Sequence, residues 1–314
     1  MEATSATETA IYLRGDLGAK GGTVDLDPGI SIKNAKGLFI AKYSLSTTSP
    51  KWSPNWVGSI GVEGGSSGST VTDANSLYVL GSFQGTQDFD PSSGTMNLTS
   101  AGDNDGFVAK YDKITGTLVW AKRYGGTGLN ERFYSGIVVQ DKLYLSFIAD
   151  TASLDFNPGV PGGDVVSNGA GTYSVLLKLD ANGAYQQVWQ MGGTNSADFL
   201  RSYVIGIFGT SVYVAGHFLG TANFPNGGPL ASAGLYDIFL MALEDPMLAP
   251  VPAPALASTS TGARSVENST VDAALSSLIF VGYYAVKSVR LRQVGNWDVT
   301  MSLIHNRSVS NYYV

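Results

Sequence analysis

The stretch "LYVLGSF", residues 77–83, sets the pattern for the whole chain, because similar stretches recur before and after it. They are "IYLRGD" (11–16), "LYLSFI" (143–148), "VYVAGHF" (212–218) and "IFVGYY" (279–284). The aligned aromatic residues Tyr12, Tyr78, Tyr144, Tyr213 and Phe280 lie 66, 66, 69 and 67 residues apart. A spacing this regular along the chain indicates an internal repeat.

Each repeat also carries further segments with the β-branched and aromatic content of short strands. One family comprises "LFIAKYS" (38–44), "GFVAKYD" (106–112), "SVLLKLD" (174–180), "DIFLMALE" (237–244) and "DVTMSLIH" (298–305). A second family contains Trp56, Trp120 and Trp189, and its fourth copy has lost the tryptophan. A short apolar segment such as "STVTD" (69–73) precedes the later tyrosine strands. Each unit therefore holds four strands, named A to D, with the tyrosine strand as B and the tryptophan strand as D.

Four-stranded units with no helical periodicity predict an all-β fold, a β-propeller of about five blades of roughly 66 residues each. We expect one domain over residues 1–314, with repeat units at about 10–75, 76–141, 142–210, 211–277 and 278–314. The proline-rich stretch 246–262 keeps the spacing, so we interpret it as a degenerate outer strand rather than a linker. A closed five-blade ring and a fragment of a larger ring both fit this pattern.

The composition narrows the classes of function. The chain is 44% hydrophobic and only 14% charged, which indicates a folded core, and its 39 glycines suit tight turns. A net charge of −6 and a pI near 4.9 argue against nucleic-acid partners and anionic membrane surfaces. Cysteine is absent, and no apolar run is long enough for membrane insertion. The first residues, "MEATSATETAIYL", do not have the pattern of a signal peptide.

The unit "LYVLGSFQGTQDFDPSSGTMNLTSAGDNDGFVAKYDKITGTLVWAKRYGGTG" (77–128) resembles the SBBP β-propeller repeats of bacterial surface and secreted proteins. The resemblance covers most of residues 10–245 and implies a propeller in an extracellular or cell-surface location in a bacterium. It implies no catalytic residues. That family is usually described as seven-bladed, so five repeats here leave the blade number open.

A second resemblance concerns the stretch "YDKITGTLVWAKRYG" (111–125), which is similar to the docking strand of pyrroloquinoline-quinone dehydrogenase repeats. The unit length here is longer, and the copy "DANGAYQQVW" departs from the pattern. We interpret the likeness as convergent blade packing and expect no quinone cofactor.

An acidic turn recurs between strands B and C and supplies the candidate binding residues. Its polar positions are Asp25, Asp27, Asp88, Asp90, Asp155 and Asn157. One interpretation is an Asx turn, in which the side chain accepts backbone N–H groups. The other is a Ca²⁺ site, since Ca²⁺ prefers clustered oxygen ligands. No other cofactor is expected, and the metal content stays open.

Apolar residues in and near these turns are expected to fill the seams between blades. They are Phe89, Phe156 and Phe224, together with Trp56, Trp120 and Trp189. The B–C connections are long and the D–A loops are rich in glycine, whereas the A–B and C–D connections are tight. In a propeller the two longer kinds of loop emerge on one face, so we expect a partner to bind there.

No catalytic motif stands out. His217 and His305 are the only histidines, and neither sits in a metal or protease motif. We therefore expect a non-catalytic recognition module that binds a glycan or a protein through its loop-rich face. A structural or adhesive segment of a larger surface protein is the alternative. A carbohydrate-active enzyme, which would need paired carboxylates, is the third possibility.

Overall fold

The described part of the chain is built from β-strands and turns. The computed structural model describes residues 10–17, 23–27, 34–44, 54–60, 68–150, 153–157, 165–167, 172–193, 195, 197–225 and 227–249. Within these ranges there is no helix, and the predicted all-β class is confirmed. The fifth unit (278–314), the proline-rich stretch beyond Ala249 and His305 lie outside the described residues.

The strands are numbered in chain order. They are β1 (Ala10–Asp16), β2 (Thr23–Asp25), β3 (Asn34–Lys36), β4 (Leu38–Ser44), β5 (Trp56–Ile60), β6 (Thr70–Thr72), β7 (Ser76–Asp88), β8 (Asn97–Asp112), β9 (Leu118–Tyr124), β10 (Arg132–Val139), β11 (Lys142–Ala149), β12 (Ser153–Asp155), β13 (Val165–Ser167), β14 (Tyr173–Asp180), β15 (Tyr185–Gly193), β16 (Phe199–Phe208), β17 (Ser211–Leu219), β18 (Thr221–Asn223), β19 (Leu230–Ala231) and β20 (Asp237–Glu244).

Four antiparallel sheets follow one another along the chain. The first has the order β1-β4-β5, the second β6-β7-β8-β9, the third β10-β11-β14-β15-β18-β19 and the fourth β16-β17-β20. The second and third contain all four strands A to D expected from the sequence. Among the described residues, the first sheet has no A strand and the fourth has no D strand.

The connection between strands B and C is a two-stranded ribbon rather than the plain loop expected from the sequence. Separate ribbons are formed by β2–β3 and β12–β13, whereas the β18–β19 ribbon is joined to the third sheet through β15. In the second sheet the outer halves of β7 and β8 form the ribbon. The paired segments are only two or three residues long, so their alternation is too brief to identify in sequence.

The second and third sheets bury both of their faces. Along β7, Leu77 and Val79 enter the core shared with the first sheet, whereas Tyr78 and Leu80 enter the core shared with the third. Because successive side chains of a strand point to opposite faces, this strand needs apolar residues at every position. The first and fourth sheets contribute to one core each among the described residues.

Tryptophans of the D strands dock onto the C–D turn of the next sheet. The Trp56 indole N–H donates to the carbonyl of Lys113 over 3.3 Å, and that of Trp120 donates to Ala181 over 3.4 Å. A glycine with positive φ lies against each indole, Gly116 at +76° and Gly183 at +75°. These turns are therefore part of the packing between sheets as well as local hairpin connections.

Lysines of the C strands reach the segment that follows the C strand of the next sheet, and these contacts were not predicted from the sequence. The Lys110 ammonium donates to the carbonyl of Ala181 over 2.9 Å. Lys178 is buried and lies 2.5 Å from the buried carboxylate of Asp245, which also accepts the Tyr144 hydroxyl. The bonds to Lys178 and Tyr144 outweigh the effect of burial and lower the pKa of Asp245.

Replacing the turn glycine beneath a tryptophan should destabilise the fold. In Gly116→Ala the new Cβ would lie 2.7 Å from Trp56 Cδ2, in addition to the positive-φ strain. Gly209→Ala is the matched control, because Gly209 has φ +60° but no atom lies within 4 Å of the point that its Cβ would occupy. The control should lose about 1 kcal/mol of unfolding free energy, and Gly116→Ala about 1–3 kcal/mol more. Urea unfolding measures both, and equal losses would mean that the tryptophan contact adds nothing.

Candidate functional site

The acidic pairs predicted from the sequence lie at the tips of the ribbons. In each, the backbone N–H of the second residue donates to the carboxylate of the first. The distances are 2.9 Å for Asp27 to Asp25, 3.0 Å for Asp90 to Asp88 and 2.8 Å for Asn157 to Asp155. Asp88 also accepts the Met96 N–H over 2.8 Å. These are the hydrogen bonds of an Asx turn.

The phenylalanines at these tips are buried between neighbouring strands and sheets. Phe89 packs against Phe83 and Phe107, with ring centroids 5.3 and 4.8 Å away. Phe224 has nearly the same surroundings, with Phe218 at 5.7 Å and Phe239 at 4.8 Å.

Phe156 and Trp189 also lie in packing clusters rather than on an open surface. Phe156 contacts Phe147 of the third sheet and Tyr124 of the second sheet. Trp189 is half-buried and packs against the core between the third and fourth sheets. Trp56 and Trp120 lie between neighbouring sheets, as described above. None of the six predicted aromatic residues is among the lining residues of the pocket that is described next.

A pocket of about 280 Å³ lies where the third sheet meets the fourth. Its lining includes Asn130, Arg132, Tyr134, Asp150, Phe199 and Arg201. These residues come from the start of β10, the end of β11 and the start of β16. They lie at the end of the sheets where the B–C and D–A connections emerge.

The guanidinium of Arg201 is held by aromatic rings. Its centre lies 4.6 Å from the Tyr134 ring centroid and 5.3 Å from that of Phe199. Its buried Nε makes no hydrogen bond. Arg132 lies 6.0 Å from the same Tyr134 ring and donates to the Asn130 side chain over 2.7 Å. Two guanidinium groups therefore flank one tyrosine.

Asp150 supplies the carboxylate of the pocket and is fixed by the backbone. Its Oδ1 accepts the N–H groups of Leu129 and Asn130 over 2.9 and 3.1 Å. These bonds fasten the D–A loop that precedes β10, so the carboxylate and the loop are positioned together.

Glu131 is fully buried beneath this D–A loop. One oxygen accepts the Gly126 N–H over 3.2 Å, and the other has no hydrogen-bond partner in the part of the chain that the structure describes. Burial, together with the negative charges of Asp105 and Asp150, raises the pKa of Glu131 to about 7. Since the side chain has no exposed surface, it stabilises the loop rather than contacting a ligand.

Asp198 has a similar position before β16, but its carboxylate is better satisfied. It accepts the N–H groups of Asn195 and Thr221 over 2.7 and 3.1 Å. The comparison supports a structural role for the buried acid in both loops.

His217 belongs to an aromatic group next to the pocket. It stacks on Phe199 with ring centroids 5.8 Å apart and meets the edge of Tyr236 at 5.4 Å. Burial and the nearby Arg201 charge lower the pKa of His217, which favours the neutral imidazole.

The pocket offers binding groups: fixed positive charges, an amide, a carboxylate and ring faces. Asp150 is the only acidic residue among its lining residues. Within the described ranges, no group of three or more His, Asp or Glu side chains is arranged to hold a metal ion.

The pocket lies at the end of the sheets that was predicted from the sequence, but its lining residues were not predicted. The candidate residues were placed in the ribbon tips, whereas the pocket uses Arg132, Tyr134 and Arg201 of the inner strands. One signal could have found them: Arg132 and Arg201 are 69 residues apart, the same separation as Tyr144 and Tyr213.

Compared with known proteins, the chain matches no protein-family model and no curated relative. The part of the chain that the structure describes has no helix that is long and apolar enough to cross a membrane.

Calcium should leave the thermal stability unchanged, because the first carboxylate of each ribbon tip already accepts backbone N–H groups. The measurement is the melting midpoint in excess CaCl₂ and in excess EDTA. A midpoint that rises with CaCl₂, and that Asp88→Asn returns to the EDTA value, would instead assign a calcium ion to this tip.

The buried Glu131 should make stability depend on pH. Between its ordinary pKa of 4.5 and about 7, the folded protein keeps a proton that the unfolded chain releases. The unfolding free energy therefore falls as pH rises through this window. Glutamine does not titrate, so Glu131→Gln removes this pH-dependent fall. Between pH 4.5 and 8 the unfolding free energy of the variant should therefore rise by up to about 3 kcal/mol relative to that of the wild type.

The comparison of variant and wild type isolates Glu131. His217 titrates in both proteins, and its lowered pKa acts in the opposite direction, since that contribution increases as pH rises towards 6.5. Urea unfolding across the pH range gives the difference, and a difference independent of pH would contradict the assignment.

Proposed function

We propose that the chain is a β-propeller of about five four-stranded blades that serves as a non-catalytic recognition module. Successive sheets pack face to face and share their cores, which supports the propeller. The outward faces of the first and fourth sheets support a ring. Ile11 and Leu13 are 42% and 41% exposed on the first, and Tyr213 is half-buried on the fourth. These are the faces that a fifth blade would cover.

The module binds a glycan or a protein through the end of the sheets that carries the longer connections. The observation that supports this is the pocket between the third and fourth sheets, where charged, amide and aromatic groups converge. The resemblance to SBBP repeats supports an extracellular or cell-surface setting in a bacterium. The net charge of −6 supports partners other than nucleic acid.

A structural or adhesive segment of a larger surface protein is the second candidate. It is favoured by the ribbon tips, whose recurring acidic residues are engaged in backbone hydrogen bonds. An enzyme acting on carbohydrate is less well supported, because Glu131, the acid with the raised pKa, is fully buried.

The proposed function is tested by screening the chain against a glycan array and a panel of bacterial and host surface proteins. Thr172 lines the pocket, so Thr172→Trp should fill it and abolish binding of any ligand found. Asn182→Trp is the control at the opposite end of the third sheet, in an exposed turn, and should leave binding intact. Absence of binding by the wild type, or equal binding by both variants, would contradict recognition through this end.

A further inference from the structure

The pocket between the third and fourth sheets has a local charge opposite to that of the whole protein. Arg132 and Arg201 supply two positive charges and Asp150 one negative charge, in a chain of net charge −6. Within the described residues, no carboxylate forms an ion pair with Arg201. A positive pocket on an acidic protein selects for an anionic group.

Arg201 is also pre-organised. Tyr134 and Phe199 lie against the planar guanidinium of Arg201, so its orientation is fixed before a ligand arrives. A planar, always charged guanidinium can form two parallel hydrogen bonds with a carboxylate. Holding this group in place lowers the entropic cost of binding.

The remaining polar groups favour a ligand that carries hydroxyls. Asn130 and Thr172 can each donate and accept hydrogen bonds. Within the described residues, Asp150 Oδ2 receives only a long contact of 3.4 Å from the Asn130 amide, which leaves it able to accept a hydrogen bond from a ligand hydroxyl. The same carboxylate would repel a doubly charged phosphate.

We propose that this pocket binds the carboxylate-bearing ring of an acidic sugar, a hexuronate residue of an anionic polysaccharide. The proposal rests on the proposed recognition function and specifies its ligand. The carboxylate is bound by Arg201 and Arg132, and the ring hydroxyls bond to Asp150, Asn130 and Thr172. A volume of about 280 Å³ is at the small end for ligand pockets, which suits one sugar ring rather than a long chain segment.

The test is calorimetric titration with three probes: a galacturonic acid trimer, the corresponding neutral galactose trimer and a galactose trimer bearing sulfate esters. The wild type should bind the uronate trimer in preference to the other two, with affinity that falls as salt increases. Arg201→Met should weaken binding about tenfold or more, since it removes charged hydrogen bonds. Arg201→Lys should also weaken it, because the ammonium keeps the charge but loses the planar fork.

Lys142→Met is the matched control. It removes one positive charge at the opposite end of the third sheet and should bind the uronate trimer as the wild type does. Melting curves of every variant show whether it is folded. If Arg201→Met does not fold, Arg201→Lys and Thr172→Trp carry the test.

The outcomes separate this inference from the recognition function. Uronate binding that survives both Arg201→Met and Arg201→Lys would overturn the pocket assignment while leaving recognition intact. Preference for the neutral or sulfated trimer would overturn the carboxylate assignment. Binding of a different array ligand, with no binding of the uronate trimer, would also overturn the carboxylate assignment. A wild type that binds nothing in either experiment would overturn both proposals.

Discussion

The structure depends on one constraint: its inner sheets must bury side chains on both faces at once. A strand points successive side chains in opposite directions, so the apolar run Leu77–Leu80 divides between two cores. Each unit therefore supplies half of two interfaces. Trp56 and Trp120, with Lys110 and Lys178, then join each sheet to the turn of the next.

The strands of this fold could be predicted from the sequence because their pattern is local and repeated. The tyrosine strands were predicted at the positions of β1, β7, β11 and β17, where the structure has them. The ribbons were not, because their paired segments are too short to show alternation. The contacts of Lys110 and Lys178 were also missed, since a lysine in a strand gives no sign of the partner it will meet.

Cross-strand pairing shows how successive sheets pack a ring at corresponding positions with different residues. Gly81 faces Phe107 and Gly216 faces Phe239, each glycine leaving room for a ring on the opposite strand. In the third sheet the phenylalanine lies on the other strand, so Phe147 faces Val175. One aromatic ring is thus kept in each pair, although the strand that carries it differs. The two pocket arginines could not be predicted as a pair from the sequence. Aligning the strands places Arg132 and Arg201 at equivalent positions, but only the folded structure shows that both line one pocket.

The ribbon of the fourth unit also covers part of the edge of the third sheet. β18 pairs with β15 at Gly192 and Gly193, so the third sheet continues through β18 into β19. An open edge strand presents free N–H and C=O groups to any other extended chain. At these two glycines, which have no side chain to obstruct an approaching strand, the protein's own hairpin occupies the edge. A deletion that shortened this hairpin would expose a site for association between molecules, and its effect would appear as aggregation before it appeared as loss of binding.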